Sequence, residues 1–396
     1  GIRVIYDTTN PEISSISHSR EGGNLDSGSP DQSPGQAQSG MTGEDGVISR
    51  VGTYNITFNI GEDLIVTPTI YLSPSPSPGR EGNNAVWDSS LLTSHFSRVD
   101  DSTFTAEIYI SYDAQPGEYN WYLTATDNAG NYVTEQLQES PLLGGDAQGA
   151  EGALVLTTAA TINDEPYFTI QAALNSANAN DIIEVQAGTW TGVGNRGITW
   201  PNTDGITLQG VSSVDTVLDA EQSGRHFVQN NPIVWNVEKL QLVNARLDTG
   251  HGGCFRINTN NNEHRLNVHD CIISGNYANK GVIAAYGNKY NYSSKIYIYS
   301  SKIIHNTGLS DDGSLCHGLS SYLKDVEIAS NTVGQGFYHN TVRIYSSYIH
   351  DNSGGSFISL GYVDVVNSLF VNNQNIFSMG NVDAVNCTFV GNDSVF

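Results

Sequence analysis

Four tyrosines, Tyr297, Tyr299, Tyr322 and Tyr345, recur beside Lys324 and Arg343 at matching places of a repeated segment, and Asp364 follows Arg343 one repeat later. Sugar rings stack on aromatic side chains, which makes these tyrosines candidate glycan contacts. Lys324, Arg343 and Asp364, the charged groups beside that surface, are the candidate catalytic residues. The same pattern has a purely structural explanation. Tyrosine has high β-propensity, and tyrosine pairs across neighbouring strands stabilise an exposed sheet.

Other chemistry finds less support. A glycosidase needs two carboxylates facing each other about 5–10 Å apart, and no repeat column supplies them. Asp364 and Asp383 are the only acidic pair in one column, and Asp311-Asp312 falls in an insertion. His305, His317, His339 and His350 share no column, and no phosphate-binding glycine loop, Ser-His-Asp order or HExxH motif occurs. Asp7 and Asp127 are candidate Ca2+ ligands; Ca2+ is the one cofactor suggested, and none is required. Asn55, Asn291, Asn386 and Asn392 each begin an N-x-S/T sequon and are the glycosylation candidates.

The elements that position these residues follow from composition. The chain has 396 residues and a net charge of −24, from 17 Lys+Arg and 41 Asp+Glu. Residues 1–231 carry 7 basic and 29 acidic residues, whereas 232–396 carry 10 and 12. That acidity argues against nucleic acid as a partner. With 41 Gly, 39 Asn and 20 Tyr but only 15 % charged residues, the chain reads as strand- and turn-rich. No apolar run approaches the roughly 18–20 residues of a membrane-spanning helix, so this segment is expected not to span a membrane. Cys254, Cys271, Cys316 and Cys387 form no CxxC pair and are expected to be free and mostly buried.

Residues 1–145 read as a β-sandwich. Apolar and polar residues alternate in Tyr54–Ile60, Phe104–Ser111 and Tyr119–Thr126, each bounded by turn residues. Residues 18–47 and 73–84 are expected to be long loops. This region resembles bacterial Ig-like modules, on Asp7-Thr-Thr-Asn-Pro11 and Asp127-Asn-Ala-Gly-Asn131. Residues 146–164 read as a linker, and 165–396 as a second domain opening with a helix at 169–178. In that helix Ile170, Ala173, Leu174 and Ala177 share one face.

Eleven-residue windows ending at Gly250, Asn276, Asn306, Asn331, Asn352, Asn373 and Asn392 align, at spacings of 26, 30, 25, 21, 21 and 19 residues. Such a period means one solenoid coil per repeat. Eight and three residues before the final Asn the residue is apolar and points inward. Six before stands Asn, Asp or Ser, suited to a sharp left-handed corner, and five before a small or compact inward residue. Asn276, Asn306, Asn331, Asn352, Asn373 and Asn392 mark a second corner where amides can bond from coil to coil. Outward positions nine and seven before the Asn hold Gln241 and Val243 in the first window and the tyrosines further on.

The order TIQAALNSA…DIIEVQAGTW resembles the capped start of pectate-lyase-like right-handed parallel β-helices, and the repeats resemble those of polymorphic outer-membrane proteins. The resemblance implies an all-β chain: an Ig-like β-sandwich, then a right-handed parallel β-helix with an N-terminal capping helix. It also implies a secreted or cell-surface protein, structural or adhesive, whose partners are copies of itself, other surface proteins or polysaccharide. The alternative is a polysaccharide-binding or -degrading lyase or hydrolase. After Asn392 only Asp-Ser-Val-Phe follows, so the stack is expected to be truncated or covered by a partner.

Overall fold

The computed structural model describes residues 13–18, 47–48, 51–60, 64–74, 95–98, 103–127, 129–136, 153–259, 263–287, 294–308, 313–338 and 341–395. The chain divides into two compact units, Gly1–Thr158 and Ala159–Phe396.

In the first unit the alternating segments become strands. Ile13–His18, Gly52–Ile60, Thr103–Ile110 and His95–Arg98 form one antiparallel sheet. Leu64–Pro74, Gly117–Asp127 and Tyr132–Gln136 pair antiparallel in a second. Between the last two, Gly130 has φ +89°, a conformation that favours glycine. Ala153–Leu156 corrects the expected linker: these apolar residues pair with Gly117–Asn120 as a further strand, and Val47–Ile48 adds to them in parallel. Ser73 and Pro74, assigned above to a loop, continue a strand opposite Asn120 and Tyr119. The rest of the two expected loops, 19–46 and 75–84, lies outside the described residues.

The second unit is a stack of parallel β coils, so the chain is all-β with one helix among the described residues. Helix α1, Ile170–Ser176, is shorter than expected, because Ala177 is already extended. Thr169 caps it, its Oγ1 accepting the Ala172 N–H at 3.2 Å. Ile170, Ala173 and Leu174 are buried in one core cluster with Ile183 and Val185 of the first coil. The stack begins slightly earlier than residue 165, since Ala160–Ile162 pairs with Ile182–Val185.

Each later coil repeats the same path. Lys295–Tyr299 is a first strand, Lys302–Ile304 a second, Thr307–Gly308 a short third and Ser314–His317 a fourth. First and fourth strands stack into a 17-stranded sheet, second strands into a nine-stranded one and third strands into a five-stranded one. Inward residues stack in register. Val237, Val268, Ile298, Leu323, Ile344 and Val365 form one fully buried column, and Leu242, Ile273, Ile303, Ile328, Ile349 and Phe370 another.

Two corners per coil are left-handed. The first falls at Lys239, Asp270, Ser300, Asp325, Ser346, Asn367 and Asn386, and the second at Asn244, Gly275, His305, Ser330, Asp351, Asn372 and Gly391. Left-handed backbone costs an ordinary L-residue roughly 1 kcal/mol or more, which favours short polar side chains and glycine, Lys239 and His305 being the exceptions. The second corner thus lies one residue before each ladder asparagine. The window ending at Gly250 is corrected by the same geometry. Gln241–Val243 pairs with Ile272–Ser274 on the nine-stranded sheet, so Asn244 is a second corner and Ala245 takes the ladder position. The chain there offers two consecutive apolar-x-apolar segments, Trp235–Val237 and Leu240–Leu242, and alignment on Asn244 selected the wrong one.

Candidate functional site: outward column and inner ladder

Register brings the predicted tyrosines together on first strands of the 17-stranded sheet. Tyr297 lies opposite Tyr322, Tyr322 opposite Arg343, and Arg343 opposite Asp364; in the parallel column Tyr299 meets Lys324 and Lys324 meets Tyr345. Side chains in each column therefore stack along the coil axis. The Tyr297 and Tyr322 rings are stacked, with centroids 4.6 Å apart and 15° between planes. Arg265, one coil earlier, places its guanidinium 4.4 Å from the Tyr297 centroid, and Arg343, one coil later, lies 5.1 Å from that of Tyr322. Both faces of both rings are thus covered within the protein. Only their edges and hydroxyls point outward, and sugar stacking needs an open face.

The candidate catalytic groups are tied into the same column. Arg343 Nη1 donates to the Tyr322 hydroxyl at 2.6 Å. The Tyr345 hydroxyl donates to Asp364 Oδ2 at 3.1 Å; partial burial, followed by this carboxylate, raises the Tyr345 pKa. Tyr362 donates in the same way to Asp383 at 2.5 Å, and that bond is the main cause raising its pKa. Lys324 is exposed and makes no ion pair among the described residues. Arg265 and Tyr362 belong to this site but escaped the sequence reading. They sit on the outward face two residues before the first tyrosine column, one position upstream of the eleven-residue windows.

Directly beneath the second corner, six asparagines form a continuous ladder. In the middle of it, Asn331 Oδ1 accepts both the backbone N–H of Asn306 at 2.9 Å and its Nδ2 at 3.1 Å. Asn331 Nδ2 donates back to the Ile303 carbonyl at 2.8 Å and forward to Asn352 Oδ1 at 2.9 Å. The pattern repeats from Asn276 through Asn306, Asn331, Asn352 and Asn373 to Asn392. Upstream it ends where Ala245 N–H donates to Asn276 Oδ1 at 2.9 Å. The first five are buried, and each polar atom of the amide is used. A serine version runs at the first corner, where Cys271 N–H donates to Ser301 Oγ, Val326 N–H to Ser347 Oγ and Ser347 N–H to Ser368 Oγ.

The remaining candidates are dispersed. Asp7 and Asn291 lie outside the described residues. Asp127 ends a strand opposite Leu64, and Asn55 lies within Gly52–Ile60 opposite Glu107. Asn386 is exposed at a corner and donates to Asn367 Oδ1 at 2.6 Å. Asn392 Nδ2 donates to the Phe370 carbonyl at 3.0 Å, so a glycan on that nitrogen competes with the last rung. Among the described residues no group of three or more His, Cys, Asp or Glu is placed to hold a metal ion. No helix among them is long and apolar enough to cross a membrane. All four cysteines are free, and Cys254, Cys271 and Cys316 are buried. Burial pushes the Cys271 and Cys316 thiols up to about 12 and raises that of Cys254.

The fold and the column define a parallel β-solenoid with a self-paired tyrosine, arginine and aspartate face. No protein-family model, curated protein or solved structure matches the chain.

Proposed function

We propose that the chain is a structural or adhesive component of a cell surface or extracellular assembly, a stalk, surface-layer or filament element. In this reading an Ig-like module precedes a right-handed parallel β-helix of the pectate-lyase-like superfamily, with repeats like those of polymorphic outer-membrane proteins. Its partners are copies of itself, other surface proteins or polysaccharide. The observation that carries the reading is the outward column itself. Arg265, Tyr297, Tyr322 and Arg343 are paired with one another, which ties successive coils together through their own side chains. The Ig-like assignment has separate support in Tyr119. It is buried near the start of its strand and its hydroxyl donates to the Gln115 carbonyl at 2.8 Å, the tyrosine-corner arrangement of such sandwiches. Negative-stain microscopy of the purified chain tests the structural role. Ordered filaments or layers support it, and uniformly monomeric particles across a range of concentrations count against it.

A polysaccharide lyase is the second reading, favoured by Lys324, an exposed cation between Tyr299 and Tyr345. Incubation with acidic polysaccharides and ultraviolet detection of unsaturated products tests it. Product formation abolished by Lys324→Ala or Arg343→Ala supports it, and no product over prolonged incubation overturns it.

A further inference from the structure

A histidine on the outer face of the nine-stranded sheet is held between two carboxylates. His350 ends the strand Tyr348–His350, opposite Ala329 on the coil before and Val371 on the coil after. Its Nδ1 lies 2.7 Å from Oδ2 of Asp351, at the left-handed corner of its own coil. Its Nε2 lies 3.3 Å from Oε1 of Glu327, on the preceding coil. Glu327 in turn holds Lys302 of the coil before that, Nζ to Oε2 at 2.7 Å. Asp351 Oδ1 accepts from Asn372 Nδ2, one coil further on, at 3.3 Å. The network thus runs through four successive coils.

The protonation state follows from the two ring contacts. An ionised carboxylate only accepts hydrogen bonds, and a neutral imidazole carries a single N–H. Carboxylates on both ring nitrogens are therefore satisfied together by the imidazolium alone. Both acids are held ionised. Lys302 first, then His350, lower the Glu327 pKa against the opposing effect of partial burial, and His350 followed by Asn372 lowers that of Asp351. Tyr348 adds to the preference, because its ring stacks on the imidazole at 4.1 Å and 21°, and an aromatic face attracts a cation. The neighbouring strand on the other side, Leu369–Val371, brings no charge to the ring.

We propose that His350 is a proton-operated tie between coils, closed as the imidazolium and opened when the ring gives up a proton to water. In the neutral form the one remaining N–H stays with the closer, sequence-adjacent Asp351. Nε2 then turns a lone pair toward Glu327, so the contact that is lost is the one joining two coils. Folding favours the charged ring, so this contribution is complete in mild acid and is lost as the pH rises. The inference is independent of the structural role proposed above.

Hydrogen exchange of the full chain, read by mass spectrometry at about pH 5 and about pH 8 and corrected for intrinsic rates, tests the proposal across the span in which histidine changes charge. Segments Glu327–Ser330 and Tyr348–Asn352 should lose roughly two- to fivefold of their protection at the higher pH, the worth of one part-exposed ion pair. In His350→Gln, whose amide does not titrate, that loss should vanish. Glu327→Gln should abolish it too, because a neutral amide can either donate to the ring or accept from it. His226 is common to all three proteins and drops out of the comparison. Far-UV circular dichroism checks that the variants fold. Should His350→Gln unfold the chain, Glu327→Gln carries the test alone. Protection that does not fall with pH in the parent, or that falls equally in the folded variants, overturns the proposal.

Discussion

Replacing Asn331 by alanine should cost the second unit about 3–5 kcal/mol, far more than the same change at Asn392. The figure follows from the bonds removed. Without the side chain, the Asn306 backbone N–H loses its acceptor at 2.9 Å inside a buried corner, and the Ile303 carbonyl loses a donor at 2.8 Å. An orphaned buried donor costs about 1–3 kcal/mol, and each further lost bond about 0.5–1.5 kcal/mol. Asn352 Oδ1 keeps the Asn331 N–H, so that loss is partial. At Asn392 the stranded group is the N–H of Asn373, but Asn392 is only partly buried and water reaches the site, giving about 1 kcal/mol. Solenoids unfold with nearest-neighbour cooperativity, so hydrogen exchange read by mass spectrometry, segment by segment, is the suitable assay. Asn331→Ala should accelerate exchange first in Ile303–Asn306 and Ile328–Asn331. Equal costs for the two substitutions, or under about 1 kcal/mol for Asn331→Ala, would refute the reasoning that buried amide bonding holds coil to coil.

Three further outcomes are expected. His226 is fully buried and its pKa is driven down to about 4 by burial, against the weaker opposing pull of the Val243 carbonyl, Asn276 and Asp219. The imidazole is neutral when folded and takes a proton below about 6.5 only when unfolded, so stability should fall by roughly 3 kcal/mol between pH 7 and 4. A thermal melt of His226→Gln that keeps the full acid sensitivity of the parent removes this assignment. Ser346 has φ +49° at an exposed corner; Ser346→Gly should raise stability by about 0.5–1 kcal/mol and Ser346→Val lower it by about 1–2 kcal/mol, measured by urea denaturation. Among the cysteines only Cys387 is half-buried, so a thiol reagent should label it first while Cys254, Cys271 and Cys316 stay protected until unfolding; early labelling of Cys271 contradicts its burial.

The stacked coils were legible because their constraints are local and periodic. A left-handed corner admits few residue types, and an inward amide needs a partner one coil away. Asn, Ser and Gly at fixed offsets therefore report backbone geometry directly. The window ending at Gly250 was misread for the same reason: Trp235–Val237 and Leu240–Leu242 satisfy the apolar pattern equally, and Lys239 occupies a left-handed corner where Asn, Asp or Ser was expected. Ala153–Leu156 was lost in a linker because four apolar residues carry no period, and only the edge of Gly117–Asp127 gives them a place. The tyrosine column was legible as a set of neighbours but not in its orientation. Whether rings turn faces or edges outward depends on Arg265 and Arg343, which lie on coils to either side, and sequence spacing carries no information about ring planes.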